Sequence, residues 1–303
     1  MAFTAKDVQA LREKTGCGMM DCKKALTECN GDMDAAIDFL REKGLASQAK
    51  KAGRIAAEGT VCAIVDGNVG AVLEMNAETD FVANGEPFKA LAEKITKIVI
   101  EQNPADLDAL LKCTKDGQTV EEMIQELFLA LRENIKLRRF QRFEGKLVSY
   151  IHSGGKIGVM VKFDTDLDAD NADFVAMGKN VAMQIAAMNP GYLDPASVPA
   201  EVLDREKEIL IAQMKEDPKM ANKPDAVLGK IVEGKIGKYY KENCLVEQQY
   251  VIDGDLTVGQ YIASVAKDLG ADVKIASFVR FEKGEGIEKR VDDFASEFAS
   301  MVK

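Results

Sequence analysis

The 303-residue chain is 47% hydrophobic, carries a formal net charge of −10 and has a sequence pI of 4.9. That composition supports one large or two to three small globular domains with real cores. It argues against a protein whose main task is to hold phosphate backbones.

No apolar run approaches the length of a membrane span, and the N-terminus lacks the apolar core of a signal peptide, so a cytoplasmic chain is expected. The cysteines (Cys17, Cys22, Cys29, Cys62, Cys113, Cys244) form no CxxC pair, and His152 is the only histidine. Neither a zinc site nor a histidine-based nucleophile is therefore expected, and no cofactor is implied. Reduced thiols are the default.

Residues 1–54 hold ten Lys/Arg against eight Asp/Glu, so the acidity lies in the remainder. Thr4 to Asp7 has the form of a capping box, and Val8 and Leu11 follow on one helical face. Thr15 to Gly18 breaks that helix; Gly16-Cys17-Gly18 follows no strand and reads as a turn. A second helix runs from Met20 to Cys29 with Cys22, Ala25 and Leu26 inward. Of the adjacent Met19 and Met20, one is expected in the core and one free for a partner groove. Lys23 and Lys24 read as a solvated face. Asn30-Gly31 supplies a left-handed cap, and Asp32 starts a third helix with Met33, Ala36, Ile37 and Leu40 inward. Gly44 is expected to end it, and Ala46 to Ala57 reads as a basic helical linker.

The rest of the chain is a duplication. Glu58-Gly59 opens a strand pair, Thr60–Val65 and Val69–Met75, around a turn at Asp66-Gly67-Asn68. Glu144-Gly145 opens another, Lys146–Ile151 and Lys156–Phe163, around Ser153-Gly154-Gly155. Helices from Phe88 to Asn103-Pro104 and from Phe174 to Asn189-Pro190 follow at the same offset of 86. The match resumes at an offset of 138: Thr119-Val120 through Arg142-Phe143-Glu144 corresponds to Thr257-Val258 through Arg280-Phe281-Glu282. The unit of hairpin, two helices and third strand predicts two related α+β subdomains, each a small antiparallel sheet covered by helices. The difference of 52 places an inserted helical hairpin within residues 191–256. Ala200 to Lys215 and Asp225 to Lys241 are its helices, and the two prolines in Glu216 to Pro224 separate them. Its apolar faces suit either a coiled coil, docked on itself or a partner, or packing against the parent sheet.

Between the first hairpin and its helix lies Glu74-Met-Asn-Ala-Glu-Thr-Asp-Phe-Val82, a strand running into a polar break at Asn76 to Asp80. Asp80 could cap a helix with Phe81 as its first core residue. Alternatively, the pair could act on a bound cation and an apolar pocket of a partner. In the second copy Phe174 corresponds to Phe88, not Phe81. The first copy thus holds an aromatic beyond what the shared helix needs, and this favours an exposed wedge.

Leu11-Arg12-x-x-Thr15-Gly16-x-Gly18-Met19-Met20-Asp21-Cys22-Lys23-Lys24-Ala25-Leu26, Glu78-Thr79-Asp80-Phe81-Val82 and Gly284 to Lys289 together resemble the bacterial elongation factor Ts family over nearly the whole chain. The resemblance implies a ubiquitin-associated (UBA)-like three-helix domain at 1–54 and core subdomains at 55–143 and at 144–196 with 245–283. It implies a coiled-coil dimerisation hairpin at 197–244, through which the chain would form a homodimer, and a C-terminal module at 284–303. The implied activity is guanine nucleotide exchange on the translational GTPase elongation factor Tu (EF-Tu), engaged in its GDP-bound and nucleotide-free states. No enzyme chemistry and no direct nucleic-acid or membrane partner are implied. Thr79, Asp80, Phe81 and Val82 match the segment tied to Mg²⁺ loss from EF-Tu. Arg12, Met19, Met20 and Lys23 fall where the N-terminal module would meet the GTPase domain. His152 falls where a family histidine faces the far domain of EF-Tu.

Overall fold

A computed structural model describes residues 3–216 and 225–288. Most of the proline-containing break before Pro224 and the C-terminal stretch from Lys289 lie outside the described residues.

Three helices open the chain: α1 (Ala5–Thr15), α2 (Met19–Glu28) and α3 (Met33–Lys51). Asp7 accepts from the Thr4 N–H at 2.6 Å and from its hydroxyl at 2.8 Å, completing the expected capping box. Asn30 adopts φ 51°, and Asp32 accepts from the Ala35 N–H at 2.9 Å. Val8, Leu11, Cys22, Ala25, Leu26, Ala36 and Leu40 form a single small core.

Strands β1 (Glu58–Asp66) and β2 (Val69–Ala77) form the first hairpin. After it come α4 (Asp80–Asn84), α5 (Glu86–Gln102), α6 (Leu107–Lys112), the two-residue strands β3 (Thr114–Lys115) and β4 (Gln118–Thr119), α7 (Val120–Leu131) and β5 (Lys136–Glu144). The second copy comprises β6 (Lys146–His152), β7 (Ile157–Thr165), α8 (Ala172–Met188), α11 (Val258–Leu269) and β8 (Val273–Glu282). Inserted between its two helices are α9 (Ala200–Glu216) and α10 (Asp225–Asn243).

Each copy makes an antiparallel three-stranded sheet, in the orders β1-β2-β5 and β6-β7-β8. Apolar residues alternating along each strand serve two faces. One face of the first sheet packs on α5 and α7 through Leu73, Met75, Phe88, Ile95 and Ile124. One face of the second packs on α8 and α11 through Val159, Val161, Phe174, Val181 and Ile262. The other two faces meet each other through Val61, Val72, Phe143, Leu147, Met160 and Phe281. These six are three pairs of repeat equivalents: Val61 with Leu147, Val72 with Met160, Phe143 with Phe281. The duplication therefore supplies both halves of the inter-sheet core.

The strand registers refine the repeat. The turn of the first hairpin spans two residues between Asp66 and Val69, and that of the second spans four between His152 and Ile157. Beyond the turns, β2 matches β7 at an offset of 88, with a bulge after Glu74 in one and after Lys162 in the other. The helices α5 and α8 return to an offset of 86. The first copy therefore has two extra residues between strand and helix, and α4 occupies that connection.

Two local expectations are corrected. The strand continues through Asn76 to Ala77, so the polar break begins later than its composition suggests. Helix α3 passes through Gly44 to Lys51. A Cβ at Gly44 would collide with Cδ2 of Leu129 and lie 3.0 Å from its Cγ, so this glycine allows α3 to approach α7 closely. Helices α9 and α10 pack on each other through Met214, Leu228, Val232 and Ile236. Their base is tied to the second copy by Tyr192 N–H to Asn243 O at 3.1 Å and Leu245 N–H to Tyr192 O at 2.9 Å. Among the described residues, no helix is long and apolar enough to cross a membrane.

Candidate functional site

Helix α4 is only five residues long and cannot hold itself together by propensity. Thr79, rather than Asp80, is its N-cap, accepting from the Val82 N–H at 3.3 Å. Asp80 occupies the first turn, where a carboxylate faces the positive helix end. Val82 and Ala83 are buried in the first core, whereas the Phe81 side chain is 87% exposed. The reading of Asp80 as cap and Phe81 as core is thereby overturned. Phe81 stands on the solvent side of a helix whose opposite side is anchored.

The anchor is the turn after α7. Glu133 accepts from the Thr79 N–H at 2.9 Å and from its hydroxyl at 2.6 Å. Reciprocally, Glu78 accepts from the Asn134 N–H at 2.7 Å and from Arg54 at 3.3 Å. The Asn134 side chain donates to Arg54 O at 2.7 Å and to Ala52 O at 3.3 Å. Arg132 pairs with Asp21 of α2 at 2.7 Å, and its carbonyl accepts from Lys51 at 2.5 Å. Three consecutive residues thus tie α4, α2 and the end of α3 together.

At the repeat offset of 138, Arg132-Glu133-Asn134 corresponds to Gly270-Ala271-Asp272. Both first residues are left-handed helix caps, with φ 60° at Arg132 and 63° at Gly270. A glycine adopts that conformation freely; an arginine does so at a steric disadvantage of about 1–2 kcal/mol. The first copy accepts this disadvantage where the side chain reaches α2. Sequence reasoning missed this turn, although the substitution of Arg-Glu-Asn for Gly-Ala-Asp between copies marks it.

Along β2, Glu74 and Asn76 face the second sheet while Leu73, Met75 and Ala77 face the helices. Glu74 has 0% exposure. Its carboxylate accepts from Arg138 at 2.9 Å, Arg139 at 2.6 Å, the Gly284 N–H at 2.8 Å and Asn76 at 3.1 Å. Burial alone would push its pKa up, but the Gly284 N–H, Arg138, Asn76 and Arg139 outweigh burial and hold it below the ordinary glutamate range.

On α2, Met19 is 45% and Met20 74% exposed. The expected core methionine is therefore absent, because both residues lie in the first turn, before Cys22, Ala25 and Leu26 fill the inward face. Arg12 and Lys23 are exposed. His152 ends β6, exposed, with Nδ1 3.0 Å from the Tyr150 hydroxyl. The turn that follows lies over β1, since the Val61 N–H donates to Gly155 O at 2.8 Å. Met19, Met20 and Phe81 are thus mechanically linked through Arg132 to Asn134, whereas His152 belongs to the other sheet.

The family model described as "Elongation factor TS" matches residues 78–285, from the α4 clamp to the Glu74 network. The chain belongs to the elongation factor Ts family. It is 47% identical to elongation factor Ts of Syntrophotalea carbinolica, with 100% of both chains covered. It is 48% identical to that of Clostridium acetobutylicum, with 99% of both covered, and 46% identical to that of Magnetococcus marinus over 100% of both. As an elongation factor Ts family member it is a translation elongation protein, and among the described residues Phe81 and Met20 are its most exposed large apolar side chains.

Proposed function

We propose that the chain is the guanine nucleotide exchange factor for EF-Tu, and that Phe81 with Asp80 is its wedge. The observation that carries this reading is an exposed phenylalanine on a helix clamped from behind. Burying a phenylalanine contributes about 1.5–3 kcal/mol. With its backbone held in place beforehand, Phe81 loses little main-chain freedom on binding, so much of that term is available to a complex. Tightly bound GDP owes its slow release to phosphate contacts and a bridging Mg²⁺. A factor that favours the nucleotide-free GTPase must weaken GDP binding by the same ratio. In this reading Phe81 enters an apolar pocket beside the metal's water ligands and displaces the element that supports them, while Asp80 disturbs the same surroundings electrostatically. Thr79 caps the helix, and Val82 seats it.

Residues 1–54 serve as a UBA-like module that sets affinity through Arg12, Met19, Met20 and Lys23. His152 faces a second domain of EF-Tu. The hairpin at 197–244 is a coiled-coil dimerisation element, flanked by core subdomains at 55–143 and at 144–196 with 245–283; residues 284–303 are a further EF-Tu-binding module. The work is cytoplasmic and requires no covalent step.

The deciding experiment is release of labelled GDP from EF-Tu·GDP. Phe81→Ala is expected to lower the stimulated rate at least about tenfold, the kinetic equivalent of 1.4 kcal/mol. Unchanged stimulation would refute the wedge.

A further inference from the structure

Glu74 lies outside the proposed contact surface and is buried, yet it is the point at which three parts of the chain meet. Lys283 pairs with Glu58 at 2.7 Å, joining the end of β8 to the start of β1. Gly284, at φ 70°, gives its N–H to Glu74 and presses against the carbonyl of Ala57, where a Cβ would collide. The β5 arginines extend the lock. Arg138 donates to both Glu74 and the Glu285 carbonyl. Arg139 pairs with Glu74 and with Glu285 at 3.0 Å and lies over the Phe281 ring at 4.2 Å. Asn76 then links Glu74 to the Glu58 carbonyl at 3.1 Å. Two residues later Glu78 and Thr79 enter the clamp beneath Phe81.

The second copy has no such lock. At the repeat offsets Glu74 corresponds to Lys162, Arg138 to Ala276 and Arg139 to Ser277. An unlike arrangement inside a duplicated frame points to a task that only the first copy performs. A buried ion cluster is also poor evidence of a purely stabilising role, since apolar replacements of similar volume are often neutral or better.

We propose that Glu74 is a positioning residue for exchange: it locks the segment at Glu282 to Glu285 and the β5 arginines onto the strand that ends beneath Phe81, so that the wedge and the start of the C-terminal segment meet the GTPase as one rigid surface. The proposal rests on the exchange reading. Its test is a double-mutant cycle with Phe81→Ala, read as labelled-GDP release from EF-Tu·GDP over a range of factor concentrations. Wild type, Glu74→Gln, Arg138→Met and each combination with Phe81→Ala are compared, all below their measured unfolding temperatures. Arg138→Met leaves Glu74 three of its four donor groups and keeps the test decisive if Glu74→Gln does not fold.

Each single substitution is expected to lower the rate at saturating factor roughly tenfold, less than the roughly hundredfold that a full ångström of misplacement can cost. In the Phe81→Ala background the same substitutions should change it by less than about twofold, because no aromatic remains to be placed. Equal fold-losses in both backgrounds, or no loss in either, would overturn the positioning role while leaving the exchange reading intact. If wild type itself does not accelerate release, the exchange reading falls, and the positioning role with it.

Discussion

Glu133 holds Thr79 with both carboxylate oxygens, one on the backbone N–H and one on the hydroxyl. The hydroxyl that caps α4 is thus itself fixed from outside the helix. This relationship converts five residues with little helical tendency into a rigid mount for Phe81. Glu133→Ala should remove it without disturbing the core. Loss of a cap costs about 0.5–2 kcal/mol, and the partial exposure of Glu133 places the expected loss near the middle of that range. Hydrogen exchange of the Val82 and Ala83 amides should accelerate more than that of α5. Unaltered protection at those amides would show that α4 does not need the clamp.

The three phenylalanines of this region should behave oppositely. Phe88 and Phe174 are fully buried at equivalent positions of α5 and α8. Truncating either to alanine should destabilise the fold by about 3–5 kcal/mol. Phe81→Ala should change stability by less than about 0.5 kcal/mol, as expected of an exposed position. Urea unfolding of the three variants checks the contrast. A large stability loss for Phe81→Ala would mean that its ring is not free for a partner.

Gly44→Ala sets two effects against each other. Alanine gains about 1 kcal/mol of helix propensity over glycine. Overpacking against Leu129 costs about 1–3 kcal/mol. The steric effect should win, lowering the melting temperature and loosening the contact between α3 and α7. Leu129→Ala in the same chain should make Gly44→Ala neutral or stabilising. If Gly44→Ala alone raises stability, the close approach is not limiting.

The duplicated frame was legible because it is written in local signals. The Thr119–Glu122 and Thr257–Gln260 capping boxes, the Asn103 and Asn189 caps, and Phe88 with Phe174 all recur at fixed spacing. What escaped was relational. Whether Gly44 ends a helix or admits a neighbour depends on Leu129, which is 85 residues away in sequence. Glu74 reads as one polar position of an alternating strand until Arg138, Arg139 and Gly284 converge on it. Composition alone likewise missed α6 and the β3-β4 ribbon, whose segments are short and weakly patterned. The exposure of Phe81 was legible only in comparison, since one copy had an aromatic that the other did not.

Acid should unlock the inter-sheet junction. The Glu74 pKa is held below the ordinary glutamate value of 4.5, so its ionised form favours folding. That contribution is fully present above the ordinary value and is lost as pH falls through the depressed folded one. Stability measured from pH 6 downward should therefore fall below about pH 4.5, with a smaller slope in Glu74→Gln than in wild type. Identical slopes would mean that folding does not depress the Glu74 pKa.

The inserted hairpin offers a last separation of fold from assembly. Its own core is small, centred on Met214, Leu228, Val232 and Ile236, while Ile209 and Val227 remain exposed. Its base is closed by backbone hydrogen bonds between Tyr192–Leu193 and Asn243–Val246, and Cys244 and Leu245 are fully buried there. The ends of the insert therefore already lie side by side. Deleting residues 199–241 and joining the ends with a short Gly-Ser linker should leave both sheets folded, because none of their core residues lies in the deleted stretch. If the exposed apolar positions form the contact between two copies, sedimentation should show the intact chain self-associating and the shortened chain monomeric at the same concentration. Retention of the dimer after deletion would move the contact to another surface, and the exposed Ile209 and Val227 would then have no part in assembly.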